Sequence, residues 1–226
     1  MIISHKHKFI FLKTRKTAGT SLDIALSRYC GPNDVITIIN SEGEDIRSVL
    51  GFPGPQNQAI PFCLWSGMDW ARLLFHGKRA NYAEHMKAAA LRNSLPKHRW
   101  NSYFKFCIER NPYDKAVSLY YWRTRGARVK PRFLDFLNSV ESHRISNFEL
   151  YSINGRVAVD HIVRYEDLAR GLNEIAAMLG IHSLDMPKAL NGHRKKRNYR
   201  EMFSSKERRI IERECRREIE LLAYDF

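Results

Sequence analysis

Residues 8–12 read KFIFL, and the next nine read KTRKTAGTS. A short unbroken apolar run suits a strand buried on both faces of a sheet. Beyond the polar stretch, Leu22, Ala25, Leu26 and Tyr29 recur at helical spacing until Gly31-Pro32 stops the pattern. A strand passing through a tight polar loop into a helix opens an α/β unit, and this constrains the fold more than any other part of the chain. The alternation continues. DVITII (34–39) is β-branched, YFKFCIER (103–110) alternates Phe104, Phe106 and Ile108 with Lys105, Cys107 and Glu109, and VDHIVRYE (159–166) reads as a further strand.

Helical patterns follow at NYAEHMKAAALRNSL (81–95), YDKAVSLYYWR (113–123), FLDFLNSV and EDLARGLNEIAAMLGI. Near the end, Ser204 and Glu207 form a capping box ahead of an inward stripe of Ile211, Cys215, Ile219 and Leu222. Residues 40–70 are rich in Gly, Pro, Asn and Gln and read as loop. Strands alternating with helices predict an α/β three-layer sandwich with a mostly parallel central sheet, in one domain spanning 1–226.

The KTRKTAGTS loop then sits at the carboxyl end of the sheet, where open α/β folds bind ligands. A helix N-terminus offers unpaired N–H groups and a positive dipole end to an anion. Gly19 lets the backbone close in, Thr20 and Ser21 add hydroxyl donors, and Lys16 adds a mobile cation. A capped helix start, with Ser21 or Thr20 as N-cap, is the plainer alternative, but it gives no reason for Lys16 or the glycine. The nucleotide loop G-x-x-x-x-G-K-[ST] is not matched, because the lysine precedes the glycine and no first glycine stands upstream. An ordinary ATPase or GTPase is therefore disfavoured.

Lys and Arg total 38 against 24 acids, a formal +14 with a pI near 9.8. Such a balance points to partners rich in phosphate, sulfate or carboxylate. Cys30, Cys63, Cys107 and Cys215 show no zinc spacing, so no metal is expected and a reducing cytoplasm is the expected location. The sequence has neither an apolar run long enough to span a membrane nor a secretory signal pattern.

The order lysine, threonine, small residue, glycine, threonine, serine after a buried strand resembles the 5′-phosphosulfate loop of sulfotransferases that use 3′-phosphoadenosine 5′-phosphosulfate (PAPS). KTAGTS is similar to the branch that sulfates carbohydrates, including the heparan 2-O type. The resemblance implies a P-loop-nucleotide-kinase-like sulfotransferase fold, PAPS as co-substrate and an acceptor hydroxyl, with a glycan or glycan precursor leading. A proline often precedes that lysine in the family; here Arg15 does. FCIERNPYDKAVSLYYW is similar to the family's 3′-phosphate segment, which implies Arg110 and Ser118 as its readers.

The resemblance also implies that Arg15, Lys16, Thr17, Ala18, Gly19, Thr20 and Ser21 surround the 5′-phosphate, with Lys16 on the leaving oxygen. NGHRKKRNY (191–199) offers Arg194, Lys195, Lys196 and Arg197 as a loop closing over the nucleotide, or else as a solvated, polyanion-binding cluster. A general base is expected between the two anchors, where His76, His85, His98, Glu84 and Glu109 all lie. His85 is favoured, because EHMKAAALR resembles a histidine-led helix of bacterial relatives. A soluble bacterial-type enzyme without a nucleic-acid partner follows. The alternatives are a non-catalytic binder of nucleic acid or acidic glycan, for which +14 and HRKKRNYR speak, and a nucleotide kinase of similar fold. Neither accounts for the Lys16 loop together with the Arg110–Ser118 spacing.

Overall fold

The computed structural model of the chain describes residues 1–139, 143–187 and 198–226. In chain order its elements are β1 (Ile2–Ser4), β2 (Phe9–Phe11), α1 (Gly19–Ser27), β3 (Val35–Ile36), α2 (Ser41–Val49), α3 (Gly67–His76), α4 (Ala88–Asn93), α5 (Lys97–Ser102) and β4 (Phe104–Glu109). There follow α6 (Pro112–Arg123), α7 (Phe133–Leu137), α8 (Phe148–Tyr151), β5 (Ser152–Ile153), β6 (Arg156–Val157), β7 (His161–Arg164), α9 (Leu168–Leu179), α10 (Ser205–Glu214) and α11 (Arg216–Leu222).

The central sheet has the order β3-β1-β2-β4-β7. Its working half, β2-β4-β7, is parallel, with Phe11 opposite Phe106 and Glu109 opposite Arg164. The other half is antiparallel, because β1 turns back into β2 and also pairs with β3. β1 is a strand that the sequence patterns did not mark; three residues are too few to establish a period. The pair β5–β6 forms a separate small hairpin.

Alternation along the strands sorts their side chains onto two faces. Phe9, Phe11, Phe106, Ile108 and Val163 pack against Leu22, Ala25 and Leu26 of α1 and Leu172, Ile175 and Leu179 of α9. Ile10, Leu12 and Cys107 face the other way, onto α4, α5, α8 and the segment carrying Ile60, Trp65 and Tyr82. A third cluster joins Tyr113, Val117 and Tyr120 of α6 to α7 and to Ile211 and Cys215.

The expected helix over 81–95 is shorter than its pattern. Only Ala88–Asn93 is helical, and His85 lies in a turn before it. Residues 40–70, expected to be loop, contain α2 and the start of α3. α2 lacks the apolar stripe that marks a core-facing helix, and α3 turns most of its apolar side chains outward, with only Leu73 packed on the core. In α2 only Gly43 and Arg47 are buried, and α3 buries none of its residues.

Candidate active site

Parallel pairing brings the carboxyl ends of β2, β4 and β7 side by side. The loop 13–18 leaves β2, Arg110 leaves β4 and Tyr165 leaves β7. Pairing continues past the strand end: the Leu12 N–H donates to the Phe106 carbonyl at 2.9 Å, and the Thr14 hydroxyl donates to the Ile108 carbonyl. This registers the loop against the residue that follows Glu109.

Within the loop, Lys16 (φ 61°) and Ala18 (φ 59°) take the left-handed conformation, which non-glycine residues adopt at a cost. Several contacts hold it there. Asn147 clamps Arg15 from both sides, its Oδ1 accepting the Arg15 N–H at 3.0 Å and its Nδ2 donating to the Arg15 carbonyl at 3.1 Å. Arg110 Nη1 donates to the Lys16 carbonyl at 3.2 Å. The Thr17 hydroxyl, fully buried, donates to the Thr14 hydroxyl at 2.8 Å and lies 3.3 Å from the Thr14 carbonyl. The Thr17 side chain thus braces the loop from within.

Ala18 holds the N-cap position of α1, and no side-chain hydrogen bond caps the helix. Neither Thr20 nor Ser21 is therefore a cap. Thr20 accepts from Lys13 Nζ at 3.2 Å, and Ser21 is buried in the first turn. Gly19 also has a packing reason. A Cβ there would stand 2.8 Å from Lys13 Cγ and 3.0 Å from its Cε, so the glycine makes room for the buried lysine stem. Lys13 cannot swing away, because its ammonium also meets Asp23 at 2.8 Å and pairs with Glu84.

Lys16, like Arg15, has no such carboxylate among the described residues. Its Nζ lies 5.2 Å from the centre of the Trp122 ring, which Arg123 and Arg125 also cover at 5.0 and 4.6 Å. Burial, and then the charges of Arg110, Arg125 and Arg123, lower its pKa to about 8. Arg15 is likewise held down by burial and by Arg144 and Arg123. So many cations crowd one point only at a cost in repulsion, which a bound anion relieves.

Arg110 is nearly buried, stacks on Tyr165 at 4.2 Å and binds Asp114 through Nε (2.8 Å) and Nη2 (2.5 Å). With the bond to Lys16, this leaves two of its five N–H groups without a partner among the described residues. Asp114, Ser118 and Trp122 follow one another at four-residue spacing along α6, hence on one helix face. Half-buried Ser118 thus stands between the residue that holds Arg110 and the residue beneath Lys16.

His85 joins the site through its Nδ1, 2.9 Å from the Lys13 carbonyl. A carbonyl only accepts, so Nδ1 carries the proton and Nε2 keeps its lone pair. Glu84 Oε2 lies 3.9 Å from that Nε2. Burial lowers the His85 pKa, aided by the charges of Lys13 and Arg15 and opposed by the carbonyl bond and Glu84. The ring is a neutral base at pH 7. Glu109 is excluded as a base, since it is fully buried and bound to Lys115 Nζ at 2.7 Å, to Asn147 Nδ2 at 3.2 Å and to the Arg110 N–H at 2.9 Å. His76 and His98 lie exposed on α3 and α5.

Arg194, Lys195, Lys196 and Arg197 lie outside the described residues. Lys13, Asn147, Trp122, Arg123 and Arg125 belong to the site and were not singled out from sequence. The spacing 114, 118, 122 was there to find Trp122; nothing local marks Asn147. Among the described residues no group of three or more His, Cys, Asp or Glu is arranged to hold a metal ion.

A protein-family profile described as "Sulfotransferase family" matches residues 1–225. An uncharacterized protein of Archaeoglobus fulgidus is 32% identical over 100 residues, covering 42% of this chain and 83% of that one. A solved structure of a sulfotransferase from Alicyclobacillus acidocaldarius is similar over 96% of both chains, at 18% identity and a TM-score of 0.46.

Proposed function

The chain belongs to the sulfotransferase family, and from that premise we propose that it moves the sulfuryl group of PAPS to an acceptor hydroxyl, with a carbohydrate as the acceptor class. The observation that carries this reading is the crowding of Lys16 by Arg110, Arg123 and Arg125 at an uncapped helix start. Such a place suits two phosphates a short distance apart.

In this proposal Lys16, the first N–H groups of α1 and the hydroxyl of Thr20 hold the 5′-phosphate end. Arg110, with its two remaining N–H groups, and Ser118 hold the 3′-phosphate. His85 Nε2 takes the proton of the acceptor hydroxyl as its oxygen attacks sulfur. The bond from sulfur to the bridging phosphate oxygen breaks in line, and Lys16 neutralises the charge that this oxygen gains. Glu84, close to Nε2, steadies the imidazolium that results. The carbohydrate class rests on the KTAGTS order, and a cytoplasmic location on the four free thiols.

Calorimetric titration with the product nucleotide PAP beside ADP, at low and at physiological salt, tests the donor. The expected result is PAP binding at least about tenfold tighter than ADP, the difference persisting at the higher salt. Equal and strongly salt-dependent affinities would mean a nonspecific anion site and would overturn the proposal.

A further inference from the structure

α3 is an unusual helix for a surface. Ser66 and Asp69 close a capping box at its start, with the Asp69 N–H to Ser66 Oγ at 3.3 Å and the Ser66 N–H to Asp69 Oδ2 at 2.9 Å. Gly77, at φ +61°, ends it. Local interactions thus fix the helix at both ends, although none of its residues is buried. What it presents outward is apolar: Met68 is 76% exposed, Leu74 79% and Phe75 80%. Trp70 of the same helix and Phe62 ahead of it, each nearly half exposed, stack 5.7 Å apart, and both meet the Trp65 ring. So large a cluster of exposed apolar side chains marks an interaction surface.

The charges around it indicate what the surface meets. From residue 51 to residue 83 the only acid is Asp69, which the capping box uses, while Arg72, Lys78 and Arg79 are all exposed. Arg79 lies over the Phe62 ring at 4.7 Å, at the edge of the apolar patch. A second copy of the chain is a poor occupant, because two molecules of formal +14 with basic patch rims repel each other. An anionic phospholipid surface answers both features: it takes Phe, Trp, Leu and Met side chains at the level of its head groups and attracts the basic rim. At ten residues α3 is too short to span a bilayer, and no described helix is long and apolar enough to do so.

We propose that α3, with Phe62, Lys78 and Arg79 flanking it, is an interfacial anchor that docks the protein onto anionic membranes. The loop that carries it is closed at its base, where Ile60 N–H donates to the Ala80 carbonyl at 3.0 Å and Tyr82 N–H to the Gln58 carbonyl at 2.8 Å. His85 follows three residues after Tyr82, so the docking segment and the candidate base share the base of one loop. Acceptors held at a lipid surface are then within reach. Only this last step rests on the function proposed above; the docking does not.

The test is co-sedimentation of the full chain with phosphatidylcholine vesicles, with and without phosphatidylglycerol, at low and physiological salt. Binding is expected to phosphatidylglycerol-containing vesicles only. The double variant Leu74→Glu/Phe75→Glu should lose at least about tenfold in partition, and Lys78→Glu/Arg79→Glu about tenfold at low salt. The substituted side chains are exposed, so the melting temperature and the PAP titration of both variants should match wild type. That keeps failure here distinguishable from failure of the donor assignment. Failure of the wild-type chain to sediment with the vesicles would overturn the proposal, as would equal sedimentation of wild type and Leu74→Glu/Phe75→Glu. So would light scattering that shows a wild-type dimer turned monomer by the apolar variant, since the patch would then belong to a second copy.

Discussion

Lys16 and His85 carry opposite protonation demands, and their surroundings meet both. Burial and neighbouring cations bring the Lys16 pKa to about 8 in the ligand-free chain. Above that pH the ammonium loses its proton, so affinity for PAP should fall as pH rises through 8, and binding there should take up a proton. Calorimetry in two buffers of different ionisation enthalpy reads that uptake directly. His85 is held below 6.5, so the acid limb of kcat/KM should fall below that value. His85→Gln should remove this limb along with most of the rate. Lys16→Ala should cost about 10²–10³-fold in turnover without lowering the melting temperature. The sign follows from the shift: a lysine whose folded pKa is depressed binds its proton more tightly when unfolded, so its charge opposes folding at pH 7. A drop in melting temperature would make Lys16 a structural ion instead. The order of residue types made Lys16 and Arg110 legible in the sequence. The packing of Lys13, Thr17 and Gly19 was not, because a sequence does not say which way a loop side chain turns. Two lysines three residues apart look alike on paper, yet one is locked between carboxylates and the other faces an aromatic ring and two arginines.

The elements meet around a buried charge cluster. Lys115 of α6 bonds Glu109 at the end of β4 and lies 4.0 Å from Glu218 of α11, with all three essentially inaccessible. Glu218 also accepts from Ser146 Oγ at 2.7 Å and the Asn147 N–H at 2.8 Å. Lys115→Met would leave two carboxylates buried without their cation, and chemical denaturation should show a loss of about 3–5 kcal/mol. Helix against strand is as tight where α9 crosses β7. A Cβ on Gly171 would come within 2.3 Å of Val163 Cγ1, and Gly171→Ala should destabilise by about 1–3 kcal/mol in the same assay. The elements that the sequence revealed, β2, β4, β7, α1, α6 and α9, are those that pack an apolar face on the core. Of those it hid, α2 has no such face, α3 turns most of its apolar side chains away from the core, and β1 is too short for a period to appear.

For the molecule as a whole, a formal +14 is a standing repulsion. Raising sodium chloride from low to physiological strength should therefore increase the denaturation midpoint while weakening PAP binding, two opposite slopes from one cause. A midpoint that falls with salt would mean that the native ion pairs outweigh the repulsion. The clamp on Arg15 carries a further consequence. Asn147 lies 132 residues beyond the backbone it grips, and it is itself fastened by Glu218, a further 71 residues on. Synthesis proceeds from the amino end, and contacts between such distant residues are slow to form. The strands β2, β4 and β7 can assemble while the later helices are still being made. The loop gains its working shape only when α11 docks, so the molecule acquires its sheet first and its chemistry last.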